Sequence, residues 1–166
     1  VPGALPPMIG WTAAAGIGSA WGESAWDSLA RPGGWSLFAL MFVWQIPHFL
    51  AIAWMHREDY ERGGHKVLPL MDPSGRVTAW CIAVFAGALI PLTMLPAWVL
   101  PEQLSGVYIA IAGATGGAFL GLCARLLRER TRARARQVFF ASIIHLPVLL
   151  AAIVVETGLR AISGRG

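Results

Sequence analysis

Five stretches of mostly apolar residues dominate this chain, and each approaches the roughly 20 residues that a helix needs to cross about 30 Å of hydrocarbon. They run over about Leu5 to Trp21, Trp35 to Met55, Val77 to Leu100, Leu104 to Leu127 and Val138 to Leu159. In a bilayer the backbone N–H and C=O groups must be paired without water, and spans of this length achieve that as helices. The expected fold is therefore all-α, a polytopic transmembrane helical bundle with no soluble domain, internal repeat or low-complexity segment. Composition agrees. The 166 residues are 56% hydrophobic and 13% charged, about half the charge of an average soluble domain, with a mean hydropathy of +0.60. Eight Trp, eleven Pro and nineteen Gly fit the same class.

A net charge of +4 and a pI near 9.8 would suit nucleic acid by number alone, but the basic residues flank apolar spans, where they act as topology signals and headgroup contacts. Membrane lipid is the expected partner, and no nucleic acid. The loop after the second span holds Arg57, Arg62, Lys66 and Arg76, and the loop after the fourth holds Arg128, Arg130, Arg132, Arg134 and Arg136, with Arg125 just before it. The other side has Arg31, Arg160 and Arg165. Short cytoplasmic loops retain Lys and Arg, so the Asp59 loop and the Arg-rich loop are expected on the cytoplasmic face and the C-terminus outside. Cys81 and Cys123 lie in apolar runs without metal-ligand spacing and read as packing residues. The chain opens at Val1-Pro2-Gly3, without an initiator Met or the order of a signal peptide, and is expected to be a piece of a longer protein.

Gly113, Gly117 and Gly121 form a small-residue stripe at four-residue spacing, expected to admit a neighbouring backbone. Pro47, Pro91 and Pro147 lie within or near spans, where each removes a donor and frees a carbonyl one turn earlier. Such breaks are tolerated where they line cavities.

The residues able to carry chemistry gather between spans two and three. Membrane helices are normally joined by short connections, whereas here Trp44-Gln45-Ile46-Pro47-His48-Phe49 leads into His56-Arg57-Glu58-Asp59-Tyr60-Glu61-Arg62-Gly63-Gly64-His65-Lys66. Two readings of the charged part stand side by side. One is a solvated interfacial helix with Glu58 and Arg62 as an i,i+4 pair. The other is a site for an anionic substrate, in which Asp59 holds Mg²⁺ against phosphate oxygens, neighbouring cations neutralise a departing diphosphate, and Gly63 and Gly64 admit it closely. His48 and His145, each near a helix-breaking Pro, read either as hydrogen-bonded structural residues or as groups that contact a porphyrin or move a proton. Trp44, Phe49, Trp54 and Tyr60 read as an interfacial belt or as aromatic faces for an allylic carbocation.

Three segments go further. Gly3-Ala4-Leu5-Pro6-Pro7-Met8-Ile9-Gly10-Trp11, the block from Trp44 to Phe49 with Arg57-Glu58-Asp59-Tyr60 and Gly63, and Ser142-Ile143-Ile144-His145-Leu146-Pro147 are similar, in order and spacing, to the haem O synthases. The chain thus resembles the protohaem IX farnesyltransferases of the UbiA-type prenyltransferase superfamily, and specifically their C-terminal part. The resemblance implies that residues 1–166 are the C-terminal portion of a single transmembrane prenyltransferase domain, with five of about nine spans and the first Asp-rich motif lying upstream. It implies transfer of a farnesyl group from farnesyl diphosphate to a vinyl group of haem B, giving haem O, with Mg²⁺ as the cofactor and haem B as substrate. Catalytic positions are then Asp59, Tyr60 and Arg57. Substrate contacts are His48, Trp44, Phe49, Arg62, Lys66 and His145, and metal ligands Asp59 and Glu58. Other superfamily members carry a second Asp four residues on, where this chain has Gly63. Further implied are a bacterial inner-membrane location, haem A synthase or terminal oxidase assembly as partners, and inactivity of the fragment alone. The competing readings are a prenyltransferase acting on a quinone precursor or a chlorophyll-type ring, and a membrane haem-binding protein without chemistry.

Overall fold

The computed structural model describes residues 2–18 and 25–164. A short 3₁₀ turn at Pro2–Ala4 leads into α1 (Leu5–Gly18), followed by α2 (Ala25–Ala30), α3 (Pro32–Met55), α4 (Arg57–Arg62), α5 (Leu68–Met71), α6 (Arg76–Val99), α7 (Gly106–Arg128) and α8 (Arg132–Ser163). No strand occurs among the described residues.

Among the described residues four helices, α3, α6, α7 and α8, are long and apolar enough to cross a membrane. They match the second to fifth expected spans, with one large difference at α8, which starts six residues before Val138. The cause is local. The Thr131 side chain caps the helix by accepting from the Arg134 N–H, and the alternating Arg and Ala residues that follow are good helix formers that an apolar scan passes over. Of the first expected span, the described residues give α1, 14 residues or about 21 Å of helix. Trp21, the far end of that span, lies outside the described residues.

The four long helices pack in a ring, α3 against α6 and α8, and α7 against α6 and α8, while α1 lies on the outer side of α3. That docking explains two glycines. A Cβ on Gly33 would stand 2.2 Å from Trp11 Cη2, and one on Gly34 would stand 2.9 Å from Trp11 Cδ1, so the indole of α1 rests on bare backbone at the start of α3. The expected stripe on α7 is only partly used. A Cβ at Gly113 would meet Met94 at 3.2 Å, but Gly117 and Gly121 have open space, and the close approach to α6 is made at Gly116, beneath Ile90. Four-residue spacing finds one helix face; the packed face is offset from it by one position.

Two apolar clusters fill the ring. One, at the α4 end, holds Trp54, Ile82, Phe119, Cys123, Leu126 and Val138; the other, at the opposite end, holds Leu40, Leu104, Tyr108, Ala112 and Leu149. Between them along the core face of α8 come Ser142 and His145, both buried, and on α3 Gln45. The middle of the bundle is therefore polar, although every helix that builds it is apolar overall.

Candidate functional site

The segment between α3 and α6 is built of two short helices. Glu58 and Asp59 sit in the first turn of α4 and Arg62 in its last, each charge placed to complement the helix dipole. Gly63 ends the helix by donating to the Asp59 carbonyl, and Gly64, at φ +70°, turns the chain away in the left-handed region that favours glycine. Arg62 donates to Asp59 Oδ1, and His56 Nδ1 lies 3.4 Å from Asp59 Oδ2. Through those hydrogen bonds, Arg62 first and His56 second, the Asp59 carboxyl is held below its ordinary range. The carboxylate stays ionised and open to solvent. The interfacial pairing expected between Glu58 and Arg62 gives way to Arg62 with Asp59 at i,i+3.

The remaining expected site residues divide. Glu58 is exposed and, one position from Asp59, projects in a different direction around α4, so the two carboxylates do not converge. No group of three or more His, Cys, Asp or Glu suited to a metal occurs among the described residues. Lys66 is exposed, and Tyr60 packs edge-on against His65 at 6.0 Å. Arg57 turns away from Asp59. With Trp54, Asp72, Ser74, Thr78 and Arg130 it lines a small cavity of about 50 Å³, which brings the Arg-rich loop beside the α3–α6 segment at one end of the bundle. The four aromatics expected as a belt or as allylic faces do not share one surface: Trp54 is buried in the core against Gly75, Tyr60 lies on α4, past the end of α3, and Phe49 is exposed.

Asp72 was not anticipated. Its buried carboxylate accepts from the Thr78 N–H at 2.8 Å, the Thr78 hydroxyl at 3.1 Å and the Ser74 hydroxyl at 2.8 Å, tying the start of α6 to its preceding turn. Burial pushes this carboxyl up, but the bonds from Thr78 and Ser74 outweigh it and leave it below the ordinary range. The signal was present in Asp72-Pro73-Ser74-Gly75, a turn composition ahead of an apolar run.

About two turns before the end of α3, His48 meets α8. Its ring is stacked between Trp44, at 4.6 Å, and Phe139, at 5.1 Å, with Phe49 edge-on at 5.5 Å. Nδ1 lies 2.8 Å from Ser142 Oγ, and Trp44 Nε1 donates to the Ser142 carbonyl at 2.9 Å. His145, a turn further along α8, stacks on Phe119 and borders an apolar cavity of about 200 Å³ between α7 and α8. Both of its ring nitrogens are buried without a hydrogen-bond partner among the described residues. The two histidines thus share the polar middle of the bundle in opposite conditions, one tightly held and the other unsatisfied. Ser142 belongs to this group, although in the sequence it stood only at the head of a matching segment with no role of its own.

Membrane-length helices enclosing buried polar side chains, with an ionised carboxylate and several cations at one end of the bundle, define a polytopic integral membrane protein. The family model described as UbiA prenyltransferase family matches residues 1–144, and the chain belongs to that family. Among curated relatives it is 43% identical over 150 residues to a protein of Solibacter usitatus named protoheme IX farnesyltransferase, covering 90% of this chain and 46% of the relative. Proteins of the same name from Sorangium cellulosum and Salinibacter ruber are 43% and 38% identical, covering 93% and 94% of this chain and 50% of each relative. The chain spans about half the length of the curated relatives it matches. No solved structure matches it.

Proposed function

We propose that this chain forms the C-terminal part of a single-domain enzyme that transfers the farnesyl group of farnesyl diphosphate to a vinyl group of haem B, producing haem O. The observation that carries this reading is the similarity, over nine-tenths of the chain, to relatives named for that reaction. Asp59 suits a divalent cation as a single hard-oxygen ligand: it is ionised, exposed and adjacent to Arg62, and Mg²⁺ commonly takes one or two carboxylates with water and substrate phosphate oxygens. Bound there, such an ion would supply positive charge for a departing diphosphate, with Asp59 as the residue that would hold it. Arg62 and Lys66 add positive charge on the same segment, Arg57 and Arg130 do so from the adjoining cavity, and Tyr60 borders the allylic end. His48 and His145, with Trp44 and Phe49, form the haem side. Glu58 takes no part in metal binding in this scheme, because it does not converge with Asp59.

The charged segments face the cytoplasm of a bacterial inner membrane, and the product passes to haem A synthase or to terminal oxidase assembly. The test uses a chimera in which this chain replaces the matched part of the Solibacter usitatus relative, expressed with a supply of haem B and assayed by mass of the extracted haems. A farnesylated haem is expected, and Asp59→Ala is expected to abolish it at an unchanged level of membrane-inserted protein. Full activity of that variant would refute the assignment of Asp59. A periplasmic reporter that is active when fused after Gly166 is expected, and an inactive one would reverse the orientation.

A further inference from the structure

The hydrogen bonds around Ser142 determine the state of His48. Ser142 has one hydroxyl proton, and it is spent: Oγ lies 2.6 Å from the Phe139 carbonyl oxygen, which can only accept. The contact of 2.8 Å between Ser142 Oγ and His48 Nδ1 therefore requires the proton to come from the imidazole. His48 is fixed as the Nδ1–H tautomer. Trp44 holds the arrangement from both sides, its indole N–H on the Ser142 carbonyl and its ring stacked on the imidazole, with Phe139 on the opposite face. Nε2 of the neutral ring then carries a lone pair, accepts no hydrogen bond among the described residues, and belongs to a half-buried side chain rather than a sealed one. A histidine held through one nitrogen with the other left basic is the arrangement expected of a proton acceptor.

Resting on the farnesyl-transfer reading above, we propose that His48 Nε2 takes the proton from the water that completes the reaction, and that Ser142 is the positioning residue that makes this possible. The balance is as follows. The allylic C–O bond to diphosphate breaks, and the vinyl π pair forms a C–C bond from its terminal carbon to farnesyl C1. The positive charge then rests on the vinyl carbon attached to the porphyrin. A water oxygen lone pair bonds to that carbon, and the water's proton passes to Nε2, leaving the hydroxyl of the hydroxyethylfarnesyl group. If water is not deprotonated in time, the same cation instead loses a proton from its neighbouring carbon and gives an alkene lighter by one water.

That branch supplies a test independent of protein amount. In the chimera, the ratio of hydroxylated to dehydrated farnesyl haem is read by mass for the parent, His48→Gln, Ser142→Ala and Ser142→Thr. His48→Gln and Ser142→Ala are expected to lower the ratio by roughly tenfold or more, in the range of a lost or misaligned general base. Ser142→Thr, which keeps the hydroxyl, is expected to restore it. An unchanged ratio in His48→Gln overturns the role of His48, whatever the yield of the Ser142 variants. An unchanged ratio in Ser142→Ala overturns the positioning role. A parent that makes no prenylated haem overturns the underlying farnesyl-transfer reading instead, and with it this inference.

Discussion

Replacing Gly75 by alanine places two costs on one atom. Gly75 precedes α6 at φ +65°, where a Cβ costs about 1–2 kcal/mol, partly offset by the about 0.4–1 kcal/mol that alanine gains by restricting the unfolded chain. The new Cβ would also stand 2.5 Å from Cη2 and 2.7 Å from Cζ2 of Trp54, whose indole is packed in the core and cannot swing aside without moving its neighbours. Overpacking of that kind costs about 1–3 kcal/mol. The sum is a loss of about 1–5 kcal/mol. Gly64 provides the control: it has φ +70° and nothing within 4 Å of a Cβ, so Gly64→Ala should show the net backbone cost alone, about 0–2 kcal/mol. Both variants are to be compared in the chimera by unfolding in mixed micelles of rising SDS fraction. A Gly75→Ala midpoint no lower than that of Gly64→Ala would refute the claim that Trp54 is seated against this turn.

Asp72→Ala leaves the buried Thr78 N–H without an acceptor and should cost about 1–3 kcal/mol in the same assay. Because the folded carboxyl titrates below its ordinary value of 3.8, its contribution is complete above that value. It is lost as pH falls through the lower folded value, and Asp72→Asn should remove this part of the acid sensitivity. His145→Phe replaces a ring with two unsatisfied nitrogens by an apolar one stacked on Phe119, and should raise stability by about 1–2 kcal/mol; a drop would mean that the nitrogens are paired. Gly116→Ala should destabilise through contact with Ile90, whereas Gly117→Ala, facing open space, should be neutral or slightly stabilising by helix propensity; equal effects would contradict the α6–α7 packing.

The long helices were legible because their signal is additive: some twenty apolar residues in a row leave little choice of structure. The edges were not. Arg132, Arg134 and Arg136 extend α8 through capping and helix propensity, neither of which registers as hydropathy. The candidate site was legible as residue types and spacings around Asp59, but spacing along a chain does not say which charges meet. Arg62 reached Asp59 rather than Glu58, Arg57 turned to a cavity shared with Arg130, and Trp54 left its aromatic neighbours for the core. Ser142 illustrates the remaining limit. A serine in an apolar helix carries no mark of its importance until a histidine from another helix is brought to its hydroxyl across 94 positions of sequence.

At the end of the bundle opposite Asp59, α8 grips its neighbours. Both oxygens of Glu156 accept from Ser105, through the backbone N–H at 2.6 Å and the hydroxyl at 2.8 Å, and Arg160 reaches the Glu102 carbonyl at 2.6 Å. Among the described residues the Asp59 carboxylate makes no such clasp: its bonds run to His56 and Arg62, residues of its own short stretch. The two ends of the bundle are therefore held by different means, one by hydrogen bonds from α8 to the α6–α7 connection and the other by the apolar cluster that runs from Trp54 to Val138.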